Sequence, residues 1–289
     1  MATWLPEVVV QASADVGEGP VWDDRTGKLL WVDMTAGDFF AFDPSSGLNT
    51  ELGSFDFLGA AALGRDGRYF LARRDGLYTL DDTPQCLVAI DEFDDTRFLN
   101  DAVCDSRGRM FLASVTDQEI TGSGCVYRVD PDLSLHVAIT GTTLANGMGF
   151  SPNETAFYAV DSRRLRVTAF DYDRDTGALS HERVFVETPE AAGLPDGLAV
   201  DRDGGVWVAY WGGSALRYYR PDGMLERVIN FPVSQISSCG FGGADLTDLY
   251  VTSAGAGLGS AALAVEPLAG SLFRVSVEVP GLGVERFGG

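Results

Sequence analysis

The chain has 289 residues, and its 42 acidic side chains outnumber its 21 basic ones, which gives a formal charge of −21 at pH 7. Such a charge repels nucleic acid and anionic membranes, so the sequence predicts neither as a partner. The composition, with 45% hydrophobic and 22% charged residues, is that of a folded globular protein. A chain of this length buries roughly three quarters of its unfolded surface, which excludes disorder as its main state.

The beginning of the sequence carries neither the basic nor the apolar stretch of a secretion signal, and no apolar run reaches the roughly 18 residues that span a bilayer. Four cysteines without Cys-x-x-Cys spacing do not make a disulfide scaffold. We therefore expect a cytoplasmic protein whose cysteines are small buried hydrophobic residues. These are Cys86, Cys104, Cys125 and Cys239.

Short apolar strands separated by polar turns recur along the chain, beginning with residues 19–33. Amphipathic helical periodicity is absent, and the 35 glycines would each cost about 1 kcal/mol inside a helix. The hairpin pattern occurs six times at intervals of about 40 to 50 residues, which is the range of propeller blades. The later turns lie at 65–67, 106–108, 152–154, 202–204 and 245–247.

Each hairpin continues into a second pair of strands, as at 39–44 and 126–131. The sequence therefore predicts an all-β fold, a six-bladed β-propeller with four-stranded blades, as a single domain over 1–289. Strands from both ends of the chain must then share one sheet, and residues 8–10 and 273–277 are the candidates. The alternative is a large β-sandwich, which does not require such regular spacing.

Counting back eight residues from each turn, or nine in the first repeat, reaches six equivalent positions, one in each repeat. Each lies just before the first strand of its hairpin, so six innermost strands would bring these residues to one mouth of the channel. Four of the six carry side-chain oxygen atoms. The positions are Glu18, Gly59, Asn100, Asn146, Asp196 and Cys239.

The four oxygen-bearing side chains predict a divalent metal site. Two carboxylates and two amides would be costly if unpaired in a narrow channel, and one divalent cation would satisfy them. Hard oxygen ligands favour calcium, magnesium or manganese. Asn-Gly and Asp-Gly alone are ordinary turn signals, but Glu18 stands between two glycines and is not a favoured turn residue.

Other chemistries find little support in the sequence. The acidic segment 171–182 resembles an EF-hand loop, but its glycine falls one place late and its flanks have strand character, so we predict a hairpin turn. The two histidines, His136 and His181, lie outside the six equivalent positions, which argues against a Ser-His-Asp triad. Neither of the common glycine-rich nucleotide-binding motifs is present.

Six short segments carry a family resemblance that extends over nearly the whole chain. They are GEGPVW at 17–22, ND at 100–101, NG at 146–147, PDG at 195–197, WGG at 211–213 and CGFGG at 239–243. Together they make the chain similar to the family of gluconolactonase, regucalcin (senescence marker protein) and luciferin-regenerating enzyme. Within that family the chain most resembles the bacterial sugar lactonases.

The resemblance implies a six-bladed propeller with one catalytic divalent metal ion in its channel. The metal-binding residues of the family fall on Glu18, Asn146 and Asp196, and Asp196 is also the implied catalytic base. A further asparagine of the family, which contacts substrate or a water molecule beside the metal, falls on Asn100. We expect Ca²⁺, with Zn²⁺, Mg²⁺, Mn²⁺ and Fe²⁺ as alternatives.

Two departures from the family pattern concern the substrate. The arginine that holds sugar hydroxyls in the family stands two residues before the asparagine, whereas Arg97 precedes Asn100 by three. Arg97 is retained as a substrate-binding candidate although it stands one place too early. The acidic substrate contact of the family corresponds to Asp117 or Glu119, and we take Glu119 as the candidate.

These residues predict a metal-dependent hydrolase that opens a sugar aldonolactone, such as a gluconolactone or xylonolactone, to the aldonic acid. A Lewis-acidic metal polarises the lactone carbonyl without a serine nucleophile. Either Asp196 accepts the proton of the attacking water, or the metal lowers the pKa of that water. The expected partner is the small lactone alone. The protein is expected to be a monomer, because a closed ring has no free sheet edge.

Two alternatives use the same ligands. One is a calcium-dependent phosphotriesterase-like hydrolase, which a predominantly aromatic pocket would favour. The aromatic candidates are Phe57, Phe98, Tyr158, Tyr210 and Trp211. The other is a non-catalytic calcium-binding propeller, since a fold alone does not determine a function.

Overall fold

The computed structural model describes residues 4–80, 84–90 and 96–289. Six antiparallel four-stranded sheets follow one another around a central channel, which confirms the predicted six-bladed β-propeller. Helices in the described ranges are short. They are the 3₁₀ helices Ser162–Arg164 and Glu190–Ala192 and the α-helix α1 (Ser260–Val265).

Within each blade the strands follow one another outward in chain order, so the innermost strand comes first. Blade 6 alone among these sheets differs, because its outermost strand comes from the amino-terminal segment. That segment forms β1 (Glu7–Val10). Blades 1 and 2 contain β2 (Gly17–Asp23), β3 (Lys28–Asp33), β4 (Asp38–Asp43), β5 (Leu48–Ser54), β6 (Ala60–Leu63), β7 (Tyr69–Ala72), β8 (Gly76–Thr79) and β9 (Gln85–Ala89). Blades 3 and 4 contain β10 (Arg97–Cys104), β11 (Met110–Thr116), β12 (Gly124–Val129), β13 (Leu135–Thr142), β14 (Ala145–Phe150), β15 (Ala156–Asp161), β16 (Arg166–Asp173) and β17 (Ala178–Glu187). Blades 5 and 6 contain β18 (Leu194–Val200), β19 (Val206–Trp211), β20 (Ala215–Tyr219), β21 (Leu225–Asn230), β22 (Ile236–Gly242), β23 (Asp248–Ser253) and β24 (Leu272–Ser276).

The ring is closed by strands from the two ends of the chain. β1 pairs antiparallel with β24, with Val8 opposite Phe273, so that the sixth sheet has the order β1-β24-β23-β22. This confirms the closing strands predicted from the sequence. The closure gives β24 a partner along its outer edge, which would otherwise leave unpaired backbone groups.

Buried aspartates organise the turns of the inner hairpins. Asp105 accepts hydrogen bonds from the backbone N–H groups of Arg107 at 3.0 Å and Arg109 at 2.7 Å. Asp201 accepts in the same way from Asp203 at 3.0 Å and from Gly205 at 2.8 Å. Both carboxylates are fully buried, so they pair N–H groups that would otherwise have no partner. The recurring polar turn in the sequence follows from this arrangement.

The acidic segment 171–182 lies in the hairpin that joins β16 to β17, where Asp171 stands opposite Ser180. This confirms the predicted hairpin turn in place of a helix-flanked calcium loop. His136 and His181 lie on β13 and β17, which are the outermost strands of blades 3 and 4. Both histidines are therefore far from the channel.

The hydrophobic core lies between neighbouring blades. In one cluster, Phe70 of blade 2 packs with Met110 and Leu112 of blade 3. The fully buried Phe287 joins this cluster and contacts Phe70 edge to face, with ring centroids 4.9 Å apart. A residue close to the end of the chain thus belongs to the core between two early blades.

Phe287 belongs to a segment, here called the tail (residues 277–289), that crosses the channel mouth opposite the starts of the inner strands. The tail bonds to the turns that follow several inner strands: the Phe287 N–H donates to Leu63 at 2.8 Å, and the Gly281 N–H donates to Leu246 at 2.8 Å. Between the tail and the inner strands lies a channel cavity of about 320 Å³. The tail therefore forms one end of this cavity.

Three cysteines are buried as predicted, but Cys86 is exposed. The prediction was wrong for Cys86 because this residue lies on β9, the outermost strand of blade 2, which has no neighbouring strand on its outer side. Across the described ranges, the structure contains no helix of the length and apolar character needed to cross a membrane.

Candidate active site

A second cavity, here called the site cavity, has a volume of about 220 Å³ and lies at the mouth where the inner strands begin. It brings together five of the six candidate residues, and Arg97 is not among the residues that line it. The lining residues are Val16, Glu18, Met34, Asn100, Glu119, Leu144, Asn146, Ser162, Arg163, Leu194, Asp196 and Trp211. Four blades supply the four oxygen-bearing side chains that the sequence placed at equivalent positions.

These four side chains converge because each inner strand changes register beside its site residue. An extra residue in one strand of an antiparallel pair bends that strand and redirects its side chains, and such bulges occur frequently beside active sites. The shifts fall between Glu18 and Val21, Leu99 and Asp101, Ala145 and Met148, and Pro195 and Leu198.

The sixth blade differs from the sequence count by one residue. In blades 2 to 5, the residue eight places after the site position has a positive φ angle, as at Gly204, where φ is 85°. In blade 6 this turn residue is Leu246, with φ 55°, so the equivalent position is Ser238 and not Cys239. The Ser238 hydroxyl lies near Glu18 and acts to lower its pKa, which adds a sixth-blade group to the surroundings of the site.

Glu18 is a buried carboxyl held by the start of its own strand. The Gly19 N–H donates to its Oε2 atom at 2.9 Å. The segment before it is fixed by Asp33, which accepts from the N–H groups of Asp15 and Val16 at 2.8 and 3.1 Å. Burial, together with the nearby charge of Asp101, raises the pKa of Glu18 to about 8.

The two asparagines direct their amide nitrogens toward the protein. Asn100 Nδ2 donates to the Ala145 carbonyl at 3.0 Å, and Asn146 Nδ2 donates to the Ser162 hydroxyl at 3.3 Å. The segment before Asn146 is fixed by Asp161 in the way that Asp33 fixes blade 1. Each amide oxygen therefore remains available to a cation or a substrate.

Asp196 has the least satisfied carboxylate of the site. Its Oδ1 atom is buried and has no hydrogen-bond partner among the residues that the structure describes. Burial, followed by the charges of Glu18 and Asp101, raises the pKa of Asp196 well above its usual range, and the nearby Asn146 amide partly opposes this shift. A buried carboxylate oxygen without a partner is costly, and a bound cation would remove that cost.

These features fit a divalent cation held by oxygen atoms. Within ranges 4–80, 84–90 and 96–289, no group of three or more His, Cys, Asp or Glu side chains is placed to hold a metal ion. The site instead combines two carboxylates with amide oxygens, and calcium, magnesium and manganese all accept this kind of ligand. The unpartnered Oδ1 atom of Asp196 is the observation that most directly supports a cation there.

A third carboxyl beside the site, the half-buried Asp101, belongs to one of the sequence motifs but was given no role in the sequence analysis. It lines the channel cavity, and its Oδ1 atom accepts from the Ala102 N–H at 2.7 Å. Burial raises the pKa of Asp101 to about 7. The charge of Asp101 raises the pKa of both Glu18 and Asp196, so three carboxyl groups interact on the inner side of the site.

Of the two charged residues predicted to contact the substrate, Glu119 lines the site cavity and Arg97 does not. Glu119 lines the site cavity, where it pairs with Arg163. Arg97 donates from Nη1 to the Ser123 carbonyl at 2.9 Å. Its role in substrate binding stays a prediction that this placement does not support, because the guanidinium is held by the loop of its own blade.

Sequence reasoning missed several lining residues, although a signal for two of them was present. Ser162 and Met34 each follow the aspartate that ends the second strand of their blade. The Met34 N–H donates to Val16 at 2.8 Å, and the Ser162 N–H donates to Leu144 at 3.0 Å. Extending the register comparison to the second strands would have predicted both residues at the site.

Of the five aromatic residues considered for an apolar pocket, Trp211 alone is among those that line the site cavity. Phe57, Tyr158 and Tyr210 are buried, and Phe98 packs on Phe57 with ring centroids 4.9 Å apart. The described lining of the site cavity is therefore not predominantly aromatic.

The chain is similar in sequence to a known protein family and to several of its members. A family model described as SMP-30/Gluconolactonase/LRE-like region matches residues 16–255. Pentonolactonase XacC of Haloferax volcanii is 36% identical over 280 residues, which cover 94% of each chain. Regucalcin of Danio rerio is 33% identical over 291 residues and covers 99% of this chain and 97% of its own.

A solved structure shows the same architecture. The calcium-binding protein regucalcin from Agrobacterium tumefaciens has a TM-score of 0.92 and 25% identity, covering 97% of this chain and 96% of its own. The family model spans every candidate residue of the site, from Glu18 to Asp196. By this match and by its relatives, the chain belongs to the SMP-30/gluconolactonase/LRE-like family, which includes proteins named as lactonases.

Proposed function

We propose that this protein is a divalent-metal-dependent lactonase that opens a sugar aldonolactone, such as a gluconolactone or xylonolactone, to the aldonic acid. The observation that carries the proposal is the unpartnered, buried Oδ1 atom of Asp196 in a cavity that also contains Glu18, Asn100 and Asn146. Membership of a family with lactonase relatives supports the same reaction class.

Glu18, Asn146 and Asp196 are the residues that would hold the metal ion, and Ca²⁺ is the expected ion with Mg²⁺, Mn²⁺, Zn²⁺ and Fe²⁺ as alternatives. When bound, such a cation supplies Lewis acidity that polarises the lactone carbonyl. Asn100 supports the substrate from the neighbouring blade, because its amide nitrogen is held by Ala145 and its oxygen remains available.

Asp196 is the proposed general base. In the reaction, it accepts a proton from the attacking water while the water oxygen bonds to the lactone carbonyl carbon. The bond between that carbon and the ring oxygen then breaks, and the ring oxygen leaves as a hydroxyl after receiving the proton. Each turnover consumes one lactone and one water molecule and yields one aldonic acid, so no further reactant is required.

The cavity favours a small polar substrate. Its volume of about 220 Å³ lies below the roughly 300 to 1,000 Å³ of sites for drug-sized ligands, so one monosaccharide-derived ring is the appropriate size. Glu119, Ser162 and Arg163 offer hydrogen bonds to hydroxyl groups. Among the described lining residues Trp211 is the one aromatic side chain, so the cavity lacks the predominantly aromatic character that would favour an apolar phosphotriester.

A non-catalytic calcium-binding role is the second candidate. The observation in its favour is the similarity to the regucalcin structure from Agrobacterium tumefaciens, which is described as a calcium-binding protein. A protein with this role would bind the ion through Glu18 and Asp196 but would show no turnover that depends on it.

Chelation followed by readdition of single metals tests the proposal. Protein treated with EDTA is supplied separately with Ca²⁺, Mg²⁺, Mn²⁺, Fe²⁺ or Zn²⁺, and acid release from glucono- and xylonolactone is followed with a pH indicator after subtraction of spontaneous opening. We expect metal-restored turnover that is lost in Glu18→Gln and Asp196→Asn. Asp222→Asn is the matched control, since Asp222 is exposed and pairs with Arg220 in an outer turn.

Absence of turnover despite metal binding confirmed by calorimetry would reject these lactones and favour the calcium-binding role. Sedimentation analysis of the wild-type protein tests the expectation that it is a monomer. Neither nucleic acid nor membrane is proposed as a partner, and a cytoplasmic location stays a prediction.

A further inference from the structure

The outer part of the site cavity contains one ion pair that links two blades. Of the described residues that line this cavity, Arg163 is the only lysine or arginine, and its guanidinium Nε pairs with the Glu119 carboxylate. The Arg163 side chain is 47% exposed and that of Glu119 is 32% exposed, so both reach solvent and the cavity. Among the described residues, neither Arg163 nor Glu119 forms a hydrogen bond with Glu18, Asn146 or Asp196.

Both partners are held in place by their backbones. Glu119 has a φ angle of 47° in a turn where its N–H donates to the Thr116 carbonyl at 2.8 Å. Arg163 lies in the 3₁₀ helix Ser162–Arg164, and Ser162 accepts a hydrogen bond from the Asn146 amide at 3.3 Å. The position of Arg163 is therefore linked through one residue to a proposed metal ligand.

Among the residues that the structure describes, two other charged side chains of this region, those of Arg97 and Asp117, already have partners. Arg97 donates to the Ser123 carbonyl at 2.9 Å, and Asp117 pairs with Arg74 at 3.3 Å. The ring faces of Phe57 and Phe98 also hold the Arg74 guanidinium, at 4.9 and 5.7 Å from their centroids. Glu119 and Arg163 are thus the charged pair best placed to meet a ligand in the cavity.

We propose that Arg163, and not Arg97, is the specificity-determining cation, and that it recognises a lactone hydroxyl next to the one bound by Glu119, the acidic contact already expected from the family resemblance. This inference rests on the proposed lactonase function. A guanidinium only donates hydrogen bonds and a carboxylate only accepts them, whereas each hydroxyl does both. One hydroxyl accepts from Arg163, and its neighbour donates to Glu119.

The exposed ion pair suits this exchange. Ion pairs between half-exposed side chains are weak, so the substrate separates the two groups at little cost. A lactone without hydroxyls forms no hydrogen bonds with Arg163 or Glu119, which stay hydrated or paired with each other, so the pair adds nothing to the affinity for that lactone. The pair therefore contributes to discrimination between polyhydroxylated and unsubstituted lactones, and it does not contribute to bond breaking.

The test compares xylono-1,4-lactone with γ-butyrolactone, which has the same ring without hydroxyls. For Arg163→Met and Glu119→Gln we expect kcat/KM on xylonolactone to fall roughly 10- to 100-fold, mainly through KM, with less than about a threefold change on γ-butyrolactone. Arg163→Lys should recover part of the loss. Arg220→Met is the matched control because the Arg220 side chain is about as exposed as that of Arg163 and pairs with Asp222 away from the cavity.

Two further readouts do not depend on turnover. Calcium affinity measured by calorimetry should be unchanged in Arg163→Met, and binding of the polyol xylitol to the calcium-loaded protein should be weakened by the same variant. An equal loss on both lactones, or a loss of discrimination in Arg97→Met and not in Arg163→Met, would overturn the inference.

Failure of the proposed function gives a different pattern. If the wild-type protein opens no lactone with any metal, the function is rejected, and the xylitol measurement still decides the inference. Unchanged xylitol binding in Arg163→Met would then reject the recognition pair as well.

Discussion

Replacing Glu18 with glutamine should stabilise the metal-free protein at alkaline pH. The Glu18 carboxyl is buried close to Asp101 and Asp196, and its pKa is raised from 4.5 to about 8, chiefly by burial. A carboxyl whose pKa is raised on folding holds its proton more tightly in the native state than in the unfolded state. Its contribution to stability is therefore complete below about pH 4.5 and is lost as the pH rises through about 8.

The size of this effect follows from the shift. At 1.36 kcal/mol per pKa unit, a rise from 4.5 to about 8 corresponds to roughly 5 kcal/mol of unfolding free energy lost above pH 8. An unfolding entropy of about 2.1 cal/mol/K per residue makes 1 kcal/mol equal to roughly 1.6 °C in Tm for a chain of 289 residues. Because about 1 kcal/mol of this free energy is already lost at pH 5, wild type should lose about 6 °C relative to Glu18→Gln between pH 5 and pH 9, since glutamine does not ionise.

The assay is thermal unfolding of EDTA-treated protein from pH 5 to pH 9, with and without calcium. Calcium should raise the Tm of wild type at pH 9 and have little effect on Glu18→Gln. Glu51→Gln is the control, since Glu51 lies exposed on the outer strand β5 and should unfold like wild type under every condition. If metal-free Glu18→Gln unfolds below wild type at pH 9, groups of the protein already stabilise the ionised carboxylate, and the reasoning is refuted.

Three other changes test separate parts of the structure. Asp196→Asn should lower kcat for lactone opening by about 10²- to 10⁴-fold with folding intact by circular dichroism, and an unchanged kcat would exclude Asp196 as the base. Phe287→Ala should reduce the unfolding free energy in urea by about 3 to 5 kcal/mol because this ring fills the core between blades 2 and 3, whereas a loss below about 1 kcal/mol would mean that the tail does not stabilise them. A thiol reagent should modify one cysteine quickly in the native protein and none in Cys86→Ser, and rapid modification of a second thiol would contradict the burial of the other three.

The architecture and the acidic centre of the site were accessible from sequence because both depend on repetition. A blade pairs mainly with itself, so local hairpin signals recur at each repeat and define the ring. The same register puts Glu18, Asn100, Asn146 and Asp196 at the starts of inner strands, where bulges turn them toward one cavity. The family resemblance pointed to these same residues.

The remaining features depend on contacts between segments that are distant in sequence and do not repeat. Arg163 meets Glu119 across two blades, and nothing in the sequence near Arg97 shows that the Ser123 carbonyl holds it. The shift from Cys239 to Ser238 results from a turn that has Leu246 at the position of positive φ usually occupied by glycine. Local propensity does not predict such long-range pairings.

The raised pKa of Asp101 also arises only in the folded protein. Its neighbours in sequence are uncharged, and its raised pKa comes from burial in the channel. The path of the tail is a further case, since a segment of mixed composition gives no sequence signal for the turns to which it binds.

The closure of the ring determines when the site can form during synthesis. Glu18 leaves the ribosome early, whereas β24, which pairs with β1 and completes blade 6 between blades 5 and 1, is made after every other strand of the propeller. Long-range strand pairing is slow because chain entropy is lost before the contacts form. Nascent chains that stop before β24 therefore carry Glu18, Asn146 and Asp196 without the sheet that joins their blades into a ring. Capacity to bind the metal should then arise only after translation has passed residue 276, so that ion loading reports on a fully synthesised propeller.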